Sequence, residues 1–131
     1  MPETAKDKLD RLRLLIVDDE EGYVNVLAKR MTKRNIDVTT ALSGAEAIQT
    51  LRRSSFYAAV LDLKMEDMDG IEVLKIFKKM DPQMPVIMLT GHGSETAARQ
   101  GIEFGAFDYL TKPCELSELL EKIKEACRKD A

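Results

Sequence analysis

The sequence has 131 residues, of which 44% are hydrophobic and 33% charged, a composition that predicts one ordinary globular domain and argues against disorder throughout. A formal net charge of −3 does not suit a protein that mainly binds nucleic acid phosphates, and no apolar run approaches the ~18 residues of a membrane span. The N-terminal residues lack the apolar segment of a signal peptide, and Cys114 and Cys127 lack metal-ligand spacing, so we expect reduced thiols and a cytoplasmic location.

Five short apolar runs along the chain predict β-strands. Four of them are nearly continuous rather than alternating in polarity, which indicates strands buried on both faces. The segments between them have apolar residues three and four positions apart, which predicts amphipathic helices. The runs cover residues 12–17, 36–41, 58–63, 86–90 and 108–111; the helical positions are Val24, Leu27 and Met31 in the first helix, Leu74, Phe77 and Met80 in the third, and Leu116, Leu119, Leu120, Ile123 and Cys127 in the last.

The residues at the element ends agree with this division. Ser43 and Glu46 fit a capping box that opens the second helix. Gly105 follows the fourth helix, where a left-handed C-cap is expected, and Pro85 stands at the first position of its strand, where a missing N–H costs least. Five successive β-then-α units predict an α/β fold with a mainly parallel sheet and helices on both faces.

Polar residues occur where the predicted strands end. In open parallel sheets, ligands bind beyond the carboxyl ends of the strands, so these side chains should converge on one edge. Taken singly, each is most simply a helix cap, a turn residue or a solvated side chain, whereas together they predict a functional site. The residues are Asp18, Asp19, Asp62, Thr90 and Lys112.

The predicted site would bring three carboxylates together. At a separation of ~4 Å they would repel one another by ~4 kcal/mol per pair at an effective dielectric constant near 20. A divalent cation together with Lys112 would balance their charge, and all-oxygen ligation completed by water and phosphate is the preference of Mg²⁺. A carboxylate beside a metal, a lysine and a threonine hydroxyl suits formation of an aspartyl phosphate. Asp62, at the end of the middle strand, is the best candidate for the nucleophile.

Four stretches make the chain similar to the response-regulator receiver domains of bacterial two-component signalling, of the kind found in chemotaxis regulators. The resemblance implies a single-domain, doubly wound (βα)5 flavodoxin-like sandwich with a parallel five-stranded sheet of order 2-1-3-4-5. It also implies a receiver domain over residues 13–128, with short tails at 1–12 and 129–131. The stretches are LLIVDDE at 14–20, VLDLKMEDMDG at 60–70, VIMLTGHGS at 86–94 and GAFDYLTKP at 105–113.

The resemblance also implies a role for each site residue. Asp62 would be the phosphoacceptor, and Thr90 and Lys112 would bind the phosphoryl group. Tyr109 matches the switch aromatic of the family, and the Lys112–Pro113 peptide bond would be cis. The rate of dephosphorylation would be tuned by Lys64 and His92, and Mg²⁺ would be held by Asp18 (through water), Asp19, Asp62 and the backbone carbonyl of Lys64.

The implied partners follow from the same resemblance. The phosphodonor would be a sensor histidine kinase, since His92 is the only histidine. The fourth helix, which contains Gly101 and is therefore expected to be mobile, would form with the fifth strand and last helix an output face for an unknown downstream protein or effector domain. We expect no direct binding of nucleic acid or membrane, and either a monomer or a phosphorylation-dependent dimer. The chain fits both a stand-alone receiver and a part of a longer regulator.

Two other functions remain open from the sequence. One is a degenerate interaction module that takes no phosphate. The other is a Mg²⁺-dependent aspartyl phosphohydrolase of the haloacid dehalogenase type, which typically has a second Asp where this chain has Lys64; otherwise we expect no enzyme activity beyond the chain's own phosphorylation and dephosphorylation. One position departs from the family pattern, because Glu66 stands where Pro usually follows Lys-Met. This change is expected to loosen the loop and add a negative charge, which either weakens phosphoryl or metal binding or leaves Glu66 as a solvated side chain without effect on the site.

Overall fold

The computed structural model describes residues 12–91 and 95–129. Strands and helices alternate along these residues. The strands are β1 (Arg13–Val17), β2 (Asp37–Ala41), β3 (Ala58–Asp62), β4 (Val86–Thr90) and β5 (Asp108–Thr111), and the helices are α1 (Glu21–Thr32), α2 (Gly44–Arg53), α3 (Gly70–Met80), α4 (Glu95–Glu103) and α5 (Leu116–Lys129).

The strands form one five-stranded sheet of order β2-β1-β3-β4-β5 in which all neighbours are parallel. The predicted α/β fold and strand order are therefore confirmed. The strands β3 and β4 are buried along their whole length, whereas the edge strands β2 and β5 are only partly buried. The third central strand, β1, is buried except at Arg13. The prediction of four strands buried on both faces is therefore wrong for one of them, because β2 and β5 are edge strands with a neighbour on one side only.

Two apolar layers cover the sheet, one on each face. Helices α2, α3 and α4 pack on one face around Phe77 and Met88, and helices α1 and α5 pack on the other around Met31 and Ile123. Met80 was predicted to lie on the buried face of the third helix, but it is 36% exposed. That part of the prediction is wrong, because Met80 is the last residue of α3, where the helix is leaving the core.

The residues at the helix ends behave largely as predicted. The N–H of Glu46 donates to Ser43 Oγ at 3.1 Å, while Glu46 Oε2 accepts the N–H of Leu42 at 3.2 Å, one residue before the usual partner in a capping box. Gly105 follows α4 with φ of +108°, in the left-handed region as predicted. Pro85 lies one residue before β4, and its carbonyl accepts the N–H of Ala59 at 3.0 Å.

Gly101 has a packing role in addition to the effect on helix stability that was predicted for it. It is buried in α4, and a Cβ atom added there would lie less than 3.0 Å from the Met88 side chain. Met88 is fully buried in β4, so its side chain has little room to move. The glycine therefore allows α4 to lie close against the sheet.

We expect Gly101→Ala to lower the free energy of unfolding by about 1–3 kcal/mol, because the added methyl group overpacks the contact with Met88. Gly22→Ala is the matched control: Gly22 lies in α1 with nothing within 4 Å of an added Cβ, so alanine there should raise the free energy of unfolding by up to about 1 kcal/mol. Urea denaturation of both variants measures the difference. A stabilising Gly101→Ala would contradict the close packing of α4 on β4.

Candidate functional site

Three acidic residues meet at the carboxyl edge of the sheet. Asp18 and Asp19 directly follow β1, and Asp62 ends the neighbouring strand β3. One carboxylate oxygen of each lies within 4.8 Å of those of the other two. Asp18 is fully buried and Asp62 is 5% exposed. Among the described residues, this is the group of acids whose geometry could hold a metal ion.

Lys112, which follows β5, supplies the positive charge in this cluster. Its Nζ lies 2.6 Å from Asp18 Oδ2, 3.2 Å from Glu20 Oε1 and 3.8 Å from Asp62 Oδ1. The backbone N–H of Lys112 donates to the backbone carbonyl of Thr90 at 2.6 Å. This bond fixes the Lys112 backbone against the end of β4. Burial alone would lower the pKa of Lys112, but the hydrogen bond and charge of Asp18 outweigh it and raise the pKa. The lysine therefore stays protonated among the acids.

Two residues around Lys112 were not predicted as parts of the site. Glu20 pairs with the ammonium group, and the Tyr23 ring centroid lies 4.7 Å from Nζ in a cation–π contact. Both lie at the start of α1, where Glu20 reads as an acid complementing the helix dipole. The only signal in the sequence is that the Asp-Asp-Glu run is more acidic than a helix start requires.

The Asp62 carboxylate is destabilised in its charged form. Burial, and next the negative charge of Asp18, raise its pKa from 3.8 to about 6, although Lys112 and the N–H of Lys64 act in the opposite direction. The Lys64 N–H donates to Asp62 Oδ1 at 3.3 Å. The carboxylates around Lys112 therefore outnumber the positive charge that faces them, and the cluster could take a further cation.

The loop after Asp62 turns back sharply against the strand. The N–H of Gly70 donates to the carbonyl of Leu63 at 3.1 Å, and a Cβ at Gly70 would lie 2.5 Å from Leu63 Cα. Asp69 then starts α3 by accepting the N–H of Ile71 at 2.9 Å. Gly70 thus allows the loop to close beside the candidate nucleophile, a role that our sequence interpretation missed although Asp69-Gly70 is a common turn signal.

The same loop is attached to two other parts of the molecule. The N–H of Glu66 donates to Asp19 Oδ2 at 3.0 Å. The Asp67 carboxylate accepts the N–H groups of Gly44 and Ala45, the first two residues of α2, at 3.0 Å each, and these two bonds lower the pKa of Asp67. The loop that Glu66 was expected to loosen is therefore hydrogen-bonded on both sides.

The remaining predicted residues are placed as follows. Thr90 ends β4 with 1% exposure, and its Oγ1 donates to the carbonyl of Leu110 at 3.4 Å. Tyr109 in β5 is half-buried against the apolar layer of α2, α3 and α4. The side chain of Lys64 is exposed, and the Lys112–Pro113 bond is cis. His92 lies outside the described residues.

Comparison with known proteins agrees with this geometry. The family profile described as "Response regulator receiver domain" matches residues 14–124. The transcriptional regulatory protein GlrR of Escherichia coli (strain K12) is 39% identical over 118 residues, which cover 90% of this chain and 27% of GlrR.

Solved structures of receiver domains are also similar. A CheY-like response regulator receiver domain protein from Methanospirillum hungatei has a TM-score of 0.87 and 32% identity, with 92% of this chain and 96% of that chain covered. A response regulator receiver domain protein from Clostridium thermocellum has a TM-score of 0.86 and 31% identity, with 90% of this chain and 95% of that chain covered.

Receiver domains are signalling modules, and this chain has their doubly wound sheet with a group of acids at its carboxyl edge. The chain belongs to the response regulator receiver domain family, and its function is that of a receiver domain in two-component signalling. It spans 27% of the length of GlrR. Among the described residues, no helix combines the length and apolar character needed to cross a membrane.

Proposed function

We propose that Asp62 accepts a phosphoryl group from a phosphohistidine of a sensor kinase in a Mg²⁺-dependent reaction. The observation that carries this proposal is the position of the Asp62 carboxylate, which is buried at the end of β3 within 4.8 Å of two other carboxylates and 3.8 Å from Lys112 Nζ. A helix cap or a surface ion pair needs no such accumulation of buried charge.

The residues present fit a Mg²⁺ site. Asp19, Asp62 and the backbone carbonyl of Lys64 would ligate the ion directly. Asp18 would act through water, because its two oxygens already accept the Glu20 N–H at 3.0 Å and the Lys112 ammonium at 2.6 Å. When bound, Mg²⁺ supplies positive charge to the oxygens of the transferring phosphoryl group.

In the transfer, an Asp62 oxygen forms a bond to phosphorus while the bond from phosphorus to the donor imidazole nitrogen breaks. The bonding electrons leave with the imidazole nitrogen, and the phosphoryl oxygens keep their negative charge. Lys112 Nζ is close enough to Asp62 to contact one of these oxygens. The Thr90 hydroxyl would contact another after giving up the Leu110 carbonyl.

The free energy of these two contacts, from Lys112 and Thr90 to the phosphoryl group, is of the right order to drive a conformational switch. Moving a two-state domain from 1:99 to 99:1 takes about 5.5 kcal/mol of differential binding, and a hydrogen bond to a charged group contributes roughly 1.5–3 kcal/mol. Leu110 follows Tyr109 in β5. Loss of the hydrogen bond from Thr90 to the Leu110 carbonyl would therefore change the backbone contacts next to Tyr109, the proposed switch aromatic. We place the output face on α4, β5 and α5; unchanged hydrogen exchange over residues 95–127 after phosphorylation would contradict this assignment.

The proposed partners are a sensor histidine kinase and an effector. GlrR is named as a transcriptional regulatory protein, and for this chain we propose a downstream protein or effector domain that binds the phosphorylated form, either to a monomer or to a phosphorylation-dependent dimer. A cytoplasmic location would suit a kinase donor and free thiols such as Cys114. Lys64 and His92 would tune the lifetime of the phosphate.

Intact mass after incubation with acetyl phosphate tests the proposal, with Mg²⁺ or with EDTA. In Mg²⁺ but not in EDTA, we expect the wild type to gain the mass of one phosphoryl group. The control variant Asp37→Asn should gain the same mass, because this exposed acid lies at the end of β2 that is opposite the site. Asp62→Asn should gain none. Uptake that persists in Asp62→Asn or in EDTA would contradict the proposal, and continuing hydrolysis of an added phosphate ester would support the phosphohydrolase instead.

A further inference from the structure

The segment between β3 and α3 contacts the candidate metal ligand Asp19 through the peptide backbone. The N–H of Glu66 lies 3.0 Å from Asp19 Oδ2, and the two residues are 47 positions apart in the chain. A proline has no N–H to donate, so the residue usual at this position in the family could not make the contact. The hydrogen bond exists because a residue with an N–H stands at position 66.

Asp67 holds this loop in place from the other side. The first N–H groups of a helix have no partner within the helix. In α2, those of Gly44 and Ala45 donate to the two carboxylate oxygens of Asp67 at 3.0 Å each. The contact between loop and helix is close, because a Cβ at Gly44 would lie 2.9 Å from Met68 Sδ. The loop is therefore fixed to the start of α2 by a carboxylate rather than stiffened by a proline ring.

We infer that the backbone N–H of Glu66 is the positioning group for Asp19, and that Asp67 keeps this N–H in register by binding the start of α2. The inference rests on the proposed function, since it concerns the Mg²⁺ ligand named there. A carboxylate that accepts an N–H at one oxygen is held in orientation and keeps its second oxygen for a metal. Groups that orient metal ligands in this way typically change metal affinity by about 10–100-fold when removed.

Two variants at position 66 separate the N–H from the side-chain charge. Glu66→Gln removes the charge and keeps the N–H, whereas Glu66→Pro removes both. We expect the Kd for Mg²⁺, measured by isothermal titration calorimetry with MgCl₂, to be about tenfold higher in Glu66→Pro than in Glu66→Gln. Equal or tighter binding by Glu66→Pro would overturn the inference.

A second pair of variants tests the attachment of the loop without changing Glu66, and it decides the matter if Glu66→Pro does not fold. Asp67→Ala removes both acceptors, and Asp67→Asn keeps one carbonyl oxygen. We expect Asp67→Ala to weaken Mg²⁺ binding several-fold and Asp67→Asn to restore part of the loss. In metal-free protein, hydrogen exchange at the Glu66 amide should be slowed in the wild type and fast in Asp67→Ala and Asp19→Ala. An amide that exchanges equally in all three would overturn the inference.

The outcomes distinguish the inference from the proposed function beneath it. If the wild type binds Mg²⁺ and takes a phosphoryl group but Glu66→Pro and Glu66→Gln have the same Kd for Mg²⁺, only the positioning role is ruled out. If the wild type binds no Mg²⁺, both the metal site and the positioning role are ruled out.

Discussion

Replacement of Lys112 by methionine is expected to lower the free energy of unfolding of the metal-free protein by about 3–5 kcal/mol, the usual cost of removing one partner of a buried ion pair. Its Nζ lies 2.6 Å from an Asp18 carboxylate that is fully buried, and the lysine side chain itself is 16% exposed. Methionine keeps most of the apolar stem but leaves Asp18 and Asp62 without the cation. Added Mg²⁺ should return part of the lost stability, because it supplies charge to the same carboxylates.

Urea denaturation in EDTA and in MgCl₂ measures this effect, with Lys122→Met as the control. Lys122 pairs with Asp108 at 2.7 Å, but their side chains are 28% and 33% exposed, so its loss should cost only about 0–1 kcal/mol. A Lys112→Met variant no less stable than Lys122→Met would show that the acidic cluster does not depend on the lysine.

Asp62→Asn is expected to stop phosphoryl uptake and also to stabilise the metal-free protein at neutral pH. The pKa of Asp62 is raised from 3.8 to about 6 in the folded state, first by burial and then by Asp18. The folded state therefore binds this proton more tightly than the unfolded state, so the contribution of Asp62 to stability is lost as pH rises from about 4 to about 6. At about 1.4 kcal/mol per pKa unit, the gain in Asp62→Asn above pH 6 has an upper limit of about 3 kcal/mol.

Thermal or urea denaturation in EDTA between pH 4 and 8 checks the sign. The free energy of unfolding of Asp62→Asn should exceed that of the wild type by an amount that grows with pH through this window and then levels off. This excess should shrink when Mg²⁺ is added. Asp67→Asn is the control of opposite sign, since the hydrogen bonds from Gly44 and Ala45 lower the pKa of Asp67 and its charge stabilises the fold once ionised. A metal-free wild type that gains stability relative to Asp62→Asn as pH rises would contradict the raised pKa of Asp62.

The convergence of the site could be predicted from the sequence because parallel strands end at a common edge. Asp18, Asp62 and Thr90 each close a short apolar run, so the sheet alone brings them together. The strand order itself came from the family resemblance, since periodicity gives elements but not their neighbours. The loss of burial at β2 and β5 follows from that order and could not be anticipated from the apolar runs.

The contacts of the β3–α3 loop could not be predicted, because they depend on where an irregular segment passes in three dimensions. The hydrogen bond from Glu66 to Asp19 spans 47 residues and uses a backbone donor, which leaves no trace in residue type. Asp67 binds the start of α2 across 23 residues, although its sequence neighbours suggest only a turn. Tyr23 reads as an ordinary helix residue, and its contact with Lys112 appears only once β1 and β5 are placed in one sheet.

The most direct test of phosphorylation at Asp62 is to locate the phosphoryl group after reaction with acetyl phosphate and Mg²⁺. Reduction of the acyl phosphate with borohydride converts the modified aspartate to homoserine, and peptide mass spectrometry then identifies its position. We predict homoserine at position 62 only, and none when EDTA replaces Mg²⁺. Homoserine at Asp18 or Asp19, or no homoserine in a folded protein that binds Mg²⁺, would contradict the assignment of Asp62 as the phosphoacceptor.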